Sequence, residues 1–207
     1  KHKKQKDIEK IKTEDYDDVR VIVYSQAKKT NIKKTPDISE IAFSNSMTFD
    51  EKLSWIKERL GKEISVNDVF AKGELVDARG LTKGKGLQGP VKRFGIHLKD
   101  HKSEKGVRRP GNLGPWHPAR VTFRVAMAGQ LGMFTRVVYN LKIIDVGNPS
   151  DENNFTNIKN YGNVKNDYLL IYGSVPGPAK RQLLLTSALR KTKKQEKKKY
   201  ELVEIRW

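Results

Sequence analysis

Apolar residues come in short runs separated by glycine, proline and charge, and the period of those runs predicts the elements. Residues 19–24 (VRVIVY) are rich in β-branched and aromatic side chains and predict a strand. At Thr48 the period changes. Glu51 follows three positions later in a capping-box pattern, and Leu53, Ile56 and Leu60 recur at helical spacing until Gly61, which predicts a helix over 49–60. Further on the runs are strand-like again, at 74–82, 119–125, 134–146 and 168–172, with another short element starting at 183–185. No amphipathic crossover helix lies between them. The expected architecture is therefore a strand-plus-helix unit followed by mostly β structure in a small barrel, rather than a parallel sheet. No internal repeat is visible.

One stretch breaks the pattern. Between residues 79 and 132 glycine recurs from Gly80 and Gly84 to Gly129 and Gly132, with Pro90, Pro110, Pro115 and Pro118 among them, and few apolar residues alternate or keep a helical period. Such a segment buries too little to fold by itself, and its length marks a functional loop or disorder. Because it also holds Leu87, Phe94, Leu113 and Trp116, it reads as a long extended arm over 79–124 rather than a solvated loop.

Charge sharpens that reading. The 207 residues carry 42 Lys and Arg against 24 Asp and Glu, a net charge of +18. Residues 79–124 hold 12 basic and 2 acidic side chains, and residues 180–199 hold 9 and 1, so these two segments account for the whole excess. The remaining stretches balance. A chain this basic implies a polyanionic partner, a nucleic acid or an anionic membrane surface. No apolar run approaches the length of a membrane span, and no apolar region follows the charged residues 1–6 as it would in a secretory signal. The absence of cysteine removes disulfides, thiolate zinc sites and Cys nucleophiles, and fits a reducing compartment. The run at 191–199 is expected to be a solvated or helical tail that orders on RNA.

Candidate catalytic chemistry is sparse. Gly84, Gly86 and Gly89 match the spacing of a dinucleotide-binding loop after a predicted strand. Pro90, Val91 and Gly95 follow instead of an opening helix, and Arg109 stands where an acidic residue should meet the ribose. His97 and His101 lie four apart in a segment without helical pattern and without a third ligand. Ser103 and Ser187 lack a base, and Asp100 and Glu104 are the only carboxylates of the arm. The sequon Asn154-Phe155-Thr156 has no secretory context. No enzyme activity, metal or cofactor is expected, and an RNA-modifying or nucleotide-dependent enzyme lacks its acid/base set.

Recognition remains. Lys83, Lys85, Lys92 and Arg93 are placed to face phosphate. Lys105, Arg108 and Arg109 cluster before Pro110, and Trp116-His117-Pro118 sits between Pro115 and Arg120. Prolines on both sides hold an aromatic out at a stiff turn, and neighbouring arginines pair with phosphates or stack on bases. Trp116 could otherwise be a core aromatic at the start of a strand. Gln88, Lys102, Arg124, Arg136, Lys180 and Arg181 complete the candidate contacts read from position and charge. RNA, with unstacked bases and deep crevices, suits an extended arm better than duplex DNA, for which no groove-reading motif is present.

Four motifs, in order, carry a resemblance: Thr82 to Gly95 (TKGKGLQGPVKRFG), preceded by Val76-Asp77; residues 111–121 (GNLGPWHPARV); residues 128–132 (AGQLG); and residues 173–178 (GSVPGP). Together they resemble the family of the third universal large-subunit ribosomal protein in its archaeal or eukaryote-like form. The resemblance implies a six-stranded translation-protein-type barrel and a long loop running through ribosomal RNA toward the peptidyl transferase centre. Trp116 would be the loop's tip, Lys105, Arg108 and Arg109 its basic flank, and Gln130 the glutamine of the Ala-Gly-Gln motif. It further implies a structural, non-catalytic role in the cytoplasmic ribosome, with ribosomal RNA and neighbouring large-subunit proteins as partners, no membrane and no small-molecule substrate. The family's opening barrel strands are not among these residues, so residues 1–61 are expected to be an α+β insertion subdomain and 62–207 an incomplete barrel domain. A free RNA chaperone or translation-factor-like barrel module is the competing role.

Overall fold

The computed structural model describes residues 16–148 and 155–204; Asn154 of the sequon lies outside them. In chain order the elements are β1 (Arg20–Tyr24), α1 (Ala27–Thr30), β2 (Ile38–Ala42), α2 (Phe49–Arg59), β3 (Leu75–Leu81), β4 (Gly86–Gln88), α3 (Pro90–Phe94), β5 (Gly129–Leu131), β6 (Thr135–Gly147), β7 (Tyr168–Tyr172), β8 (Leu184–Ser187) and α4 (Lys193–Lys197). A 3-10 turn at Val66–Asp68 precedes β3. The strands form two two-stranded sheets, β1-β2 and β4-β5, and one four-stranded sheet in the order β7-β6-β3-β8. The chain divides into two compact units, one holding residues up to 74, 143–172 and those from 198 on, the other holding 75–142 and 173–197.

In the first unit β1 and β2 pair antiparallel from Arg20↔Ala42 to Tyr24↔Ile38. The capping box of α2 is complete: the Thr48 hydroxyl accepts from the Glu51 N–H, and the Glu51 carboxylate accepts from the Thr48 N–H at 2.9 Å. Phe43 meets Trp55 edge-on at 5.2 Å, and the buried Lys52 donates to Asp18 at 2.8 Å. That bond holds the Asp18 carboxyl below its ordinary range. Phe155 packs edge-on against Tyr168 at 4.6 Å, and Tyr172 stacks on Tyr200 at 4.5 Å.

β3 is the central strand of the second unit, paired antiparallel to both β6 and β8. Leu75, Val76, Asp77 and Ala78 are consecutively buried, which requires cover on both faces. Opposite Asp77 the register slips: Val76 pairs with Leu141 but Ala78 with Val138, which leaves Tyr139 and Asn140 as a bulge. Asn140 takes a left-handed φ of 56° there. The fully buried Asp77 carboxyl accepts from the Asn140 N–H at 2.9 Å and from the Leu189 N–H at 3.2 Å, so it supplies acceptors that the interrupted ladder lacks.

The strands expected at 74–82, 134–146 and 168–172 are β3, β6 and β7, and the element begun at 183–185 is β8. The four-stranded sheet is open and the described residues form no closed barrel; the class is mostly β with a few helices. Four expectations change. Residues 119–125 form no strand, because no neighbouring strand lies alongside to take their backbone; Val121 and Phe123 are exposed. A helix does open after Gly89, since Pro90 sits at its first position, where a missing N–H costs nothing, and it ends after five residues at left-handed Gly95. Residues 79–81, counted with the arm, belong to β3. The segment 191–199 is helical over Lys193–Lys197 in the chain by itself. Among the described residues no helix is long and apolar enough to cross a membrane.

Candidate nucleic-acid interface

The arm leaves the second unit through a neck. β4 and β5 pair from Gly86↔Leu131 to Gln88↔Gly129, so the two ends of residues 89–128 are side by side. Gly132, at φ 78°, lies so close to the opposite chain that a Cβ there would be 2.0 Å from the Lys83 carbonyl oxygen. Arg93 clamps the exit, donating from Nε to the Gln130 carbonyl at 3.0 Å and from Nη1 to the Met127 carbonyl at 3.1 Å. Its guanidinium occupies the space a side chain at Gly129 would need. The Gln88 amide donates to the Lys85 carbonyl, and the Gln130 amide donates to the Leu131 and Gly132 carbonyls. Arg93, Gln88 and Gln130 thus direct donors to their own backbone at the neck.

Beyond Gly95 the chain has no regular element until β5. Its backbone bonds are local, such as the Lys99 N–H to the Val107 carbonyl and the Arg120 N–H to the Pro118 carbonyl. Lys102, Lys105, Arg108, Arg109, His117, Arg120 and Arg124 are exposed along it. Trp116 is 86% exposed and Phe123 92%, which places the indole outside any core of this structure. Exposed aromatics among unpaired cations are the equipment for stacking on bases and contacting phosphate. His101 pairs with Asp100 at 2.8 Å, and among the described residues no cluster of metal-ligating side chains exists.

Lys83, Lys85 and Arg136 gather at the base of the neck, where the turns on either side of β4 and β5 face each other; exposed Lys92 sits on α3. Arg181 reaches the same region, its Nη1 donating to the Met133 sulfur at 3.5 Å, and Lys180 precedes it in a left-handed conformation. The start of the second basic segment is thereby joined to the base of the first. Farther along, Lys142 donates to the Gln195 and Glu196 carbonyls at 3.1 and 2.8 Å, and the Thr192 N–H donates to the Asn140 side chain. α4, with Lys193, Lys194 and Lys197, is pinned to the bulge of β6. Sequence reasoning missed Asp77, Asn140 and Lys142 as anchors of the basic segments, and no local pattern announces them.

Among the described residues, no lysine or arginine of the arm or neck is within salt-bridge distance of a carboxylate, whereas the first unit pairs Arg20 with Glu40, Lys29 with Glu63 and Lys72 with Asp145. The +10 of residues 79–124 is therefore left for an external anion.

The family model for Ribosomal protein L3 matches residues 1–207. Among similar curated proteins, the large ribosomal subunit protein uL3 of Nanoarchaeum equitans is 44% identical over 187 residues, 90% of this chain and 57% of its own length. Those of Methanococcus vannielii and Methanocaldococcus jannaschii are 46% and 44% identical, over 84% and 89% of this chain and 53% and 56% of their own lengths. The chain thus spans little more than half the length of these relatives. With a match along every residue and archaeal relatives well above 30% identity, the chain belongs to the ribosomal protein L3 family.

Proposed function

We propose that the protein is a structural constituent of the large ribosomal subunit, in the cytoplasmic ribosome, which binds ribosomal RNA through its arm and its second basic segment. The observation that carries this reading is a segment, residues 79–124, with 12 cations against 2 carboxylates, whose chain beyond Gly95 has no regular element, exposes a tryptophan and is held at a neck of paired strands. Such a segment gains its order from an RNA crevice. The contacts are Lys83, Lys85, Lys92, Lys102, Lys105, Arg108, Arg109, Trp116, His117, Arg120 and Arg124 along the arm, with Arg136, Lys180 and Arg181 at its base. Arg93, Gln88 and Gln130 bring the neck's backbone against the RNA. The loop extends toward the peptidyl transferase centre, and its role is structural because the arm carries no acid/base pair or nucleophile for chemistry of its own. In the full-length protein, residues 1–61 are the α+β insertion and the four-stranded sheet is part of a six-stranded barrel, with large-subunit proteins as neighbours.

Sedimentation tests the proposal. Tagged protein expressed in an archaeal host should travel with large subunits and stay with them through a high-salt wash, since an embedded arm is not displaced by screening alone. Recovery only in the free fraction would assign it instead to a chaperone or translation-factor-like role.

A further inference from the structure

The turns on either side of the neck strands line an open recess of about 260 Å³. Lys83, Lys85 and Arg136 supply its cations, Leu131 and Phe134 its apolar surface, and Thr82 and Gly132 complete the lining. No acidic residue contributes. Its walls are stapled to one another: the Thr82 N–H donates to the Phe134 carbonyl at 3.0 Å, the Phe134 N–H to the Thr82 hydroxyl at 3.2 Å, and the Lys85 N–H to the Leu131 carbonyl at 2.9 Å. The close approach at Gly132 fixes the recess further. The Arg136 guanidinium lies over the Phe134 ring, 5.3 Å from its centre. Arg136 also donates from Nη1 to the Thr135 carbonyl at 3.1 Å. A recess with one aromatic wall and three cations that no carboxylate neutralises suits a flat ring carrying phosphates on either side. Its volume lies just below the roughly 300–1,000 Å³ of pockets for drug-sized ligands, which suits one heterocycle and not a stacked pair.

We propose that this recess receives a single unstacked nucleobase from a bulge or loop of the RNA, set against Phe134 and Leu131, with the adjoining phosphates on Lys83, Lys85 and Arg136. Arg136 is exposed, so its guanidinium can exchange the ring face and its single bond to the Thr135 carbonyl for a phosphate as the base enters. The seated base fixes the register of the RNA at the foot of the arm, where both basic segments begin. This inference rests on the RNA-binding reading above and adds a defined subsite to it.

The test uses the full chain and two RNA hairpins with the same stem, one fully paired and one with a single-uridine bulge, compared by fluorescence anisotropy at fixed salt. The bulged hairpin should bind about tenfold more tightly, the scale of one base stacked on an aromatic side chain. Phe134→Ala and Arg136→Gln should each bring the ratio of the two affinities close to one. Arg136→Gln changes an exposed side chain and keeps the test sound should Phe134→Ala lower the melting temperature. A 4-thiouridine at the bulge should photo-crosslink within residues 131–136. Tight but equal binding of both hairpins by the unmodified chain would overturn the pocket and leave RNA binding intact, whereas binding of neither would overturn the RNA reading. Displacement of the bulged hairpin by micromolar uridine 5′-monophosphate would overturn the pocket's assignment to RNA in favour of a free-nucleotide site.

Discussion

Trp116 and Asp77 do opposite work, and their surroundings say why. Trp116 stands at a turn flanked by Gly114, Pro115 and Pro118 with 86% of its surface exposed, so it contributes almost nothing to folding. Trp116→Ala should leave the thermal melt of the free protein essentially unchanged while weakening RNA binding by about 1–3 kcal/mol, the worth of one stacked base. Calorimetry and a binding titration on the same preparation separate the two effects, and a strongly lowered melting temperature would return the indole to a core. Asp77 is fully buried and satisfies two backbone N–H groups at once. Asp77→Ala should cost about 2–5 kcal/mol in urea unfolding, since two buried donors lose their acceptor and the bulge of β6 loses its brace. Because Asn140 and Lys142 of that strand hold the second basic segment, the same substitution should loosen α4, read as faster proteolysis after Lys193 and Lys194.

Among the elements, the arm is where charge and path come apart. Replacing Lys105, Arg108 and Arg109 together by Ala should reduce incorporation into large subunits more than any three Lys→Ala changes within residues 1–12, although both remove three charges. Equal losses, measured by quantitative mass spectrometry of gradient fractions, would mean that only total charge matters. The elements that the sequence announced are those with a dense local signal: the Thr48–Glu51 capping box starts α2, and clusters of β-branched, leucine or aromatic residues mark β1, β6 and β7. β2 (ISEIA) was missed because Ser39 and Glu40 interrupt its apolar side, and its pairing with β1 is what decides the matter. β4 and β5 have three residues each and exist only through each other. The reverse error occurred at 119–125, where β-forming residues have no partner strand. Candidate site residues followed the same rule. The exposure of the arm cations and of Trp116 was legible from charge and proline spacing, while the Arg93 clamp and the Asp77 brace depend on contacts remote in sequence.

For the whole molecule, the net charge of +18 is concentrated where carboxylates are scarce, so association with RNA should be driven largely by counterion release. With six exposed arm cations, Lys102, Lys105, Arg108, Arg109, Arg120 and Arg124, each on a phosphate, the slope of log affinity against log salt should be about −4 to −5. A titration between low and moderate salt gives that slope directly, and a value near zero would contradict an electrostatic interface. The β4-β5 ladder has another consequence. Its last facing pair, Gln88↔Gly129, brings the chain back beside itself after a forty-residue excursion, at the spacing a two-residue hairpin turn spans. Residues 89–128 are therefore a cassette: a turn such as Asn-Gly could replace them with the β3-β6-β8 pairing left in place, and an arm of another length or sequence could be grafted onto the same two strands.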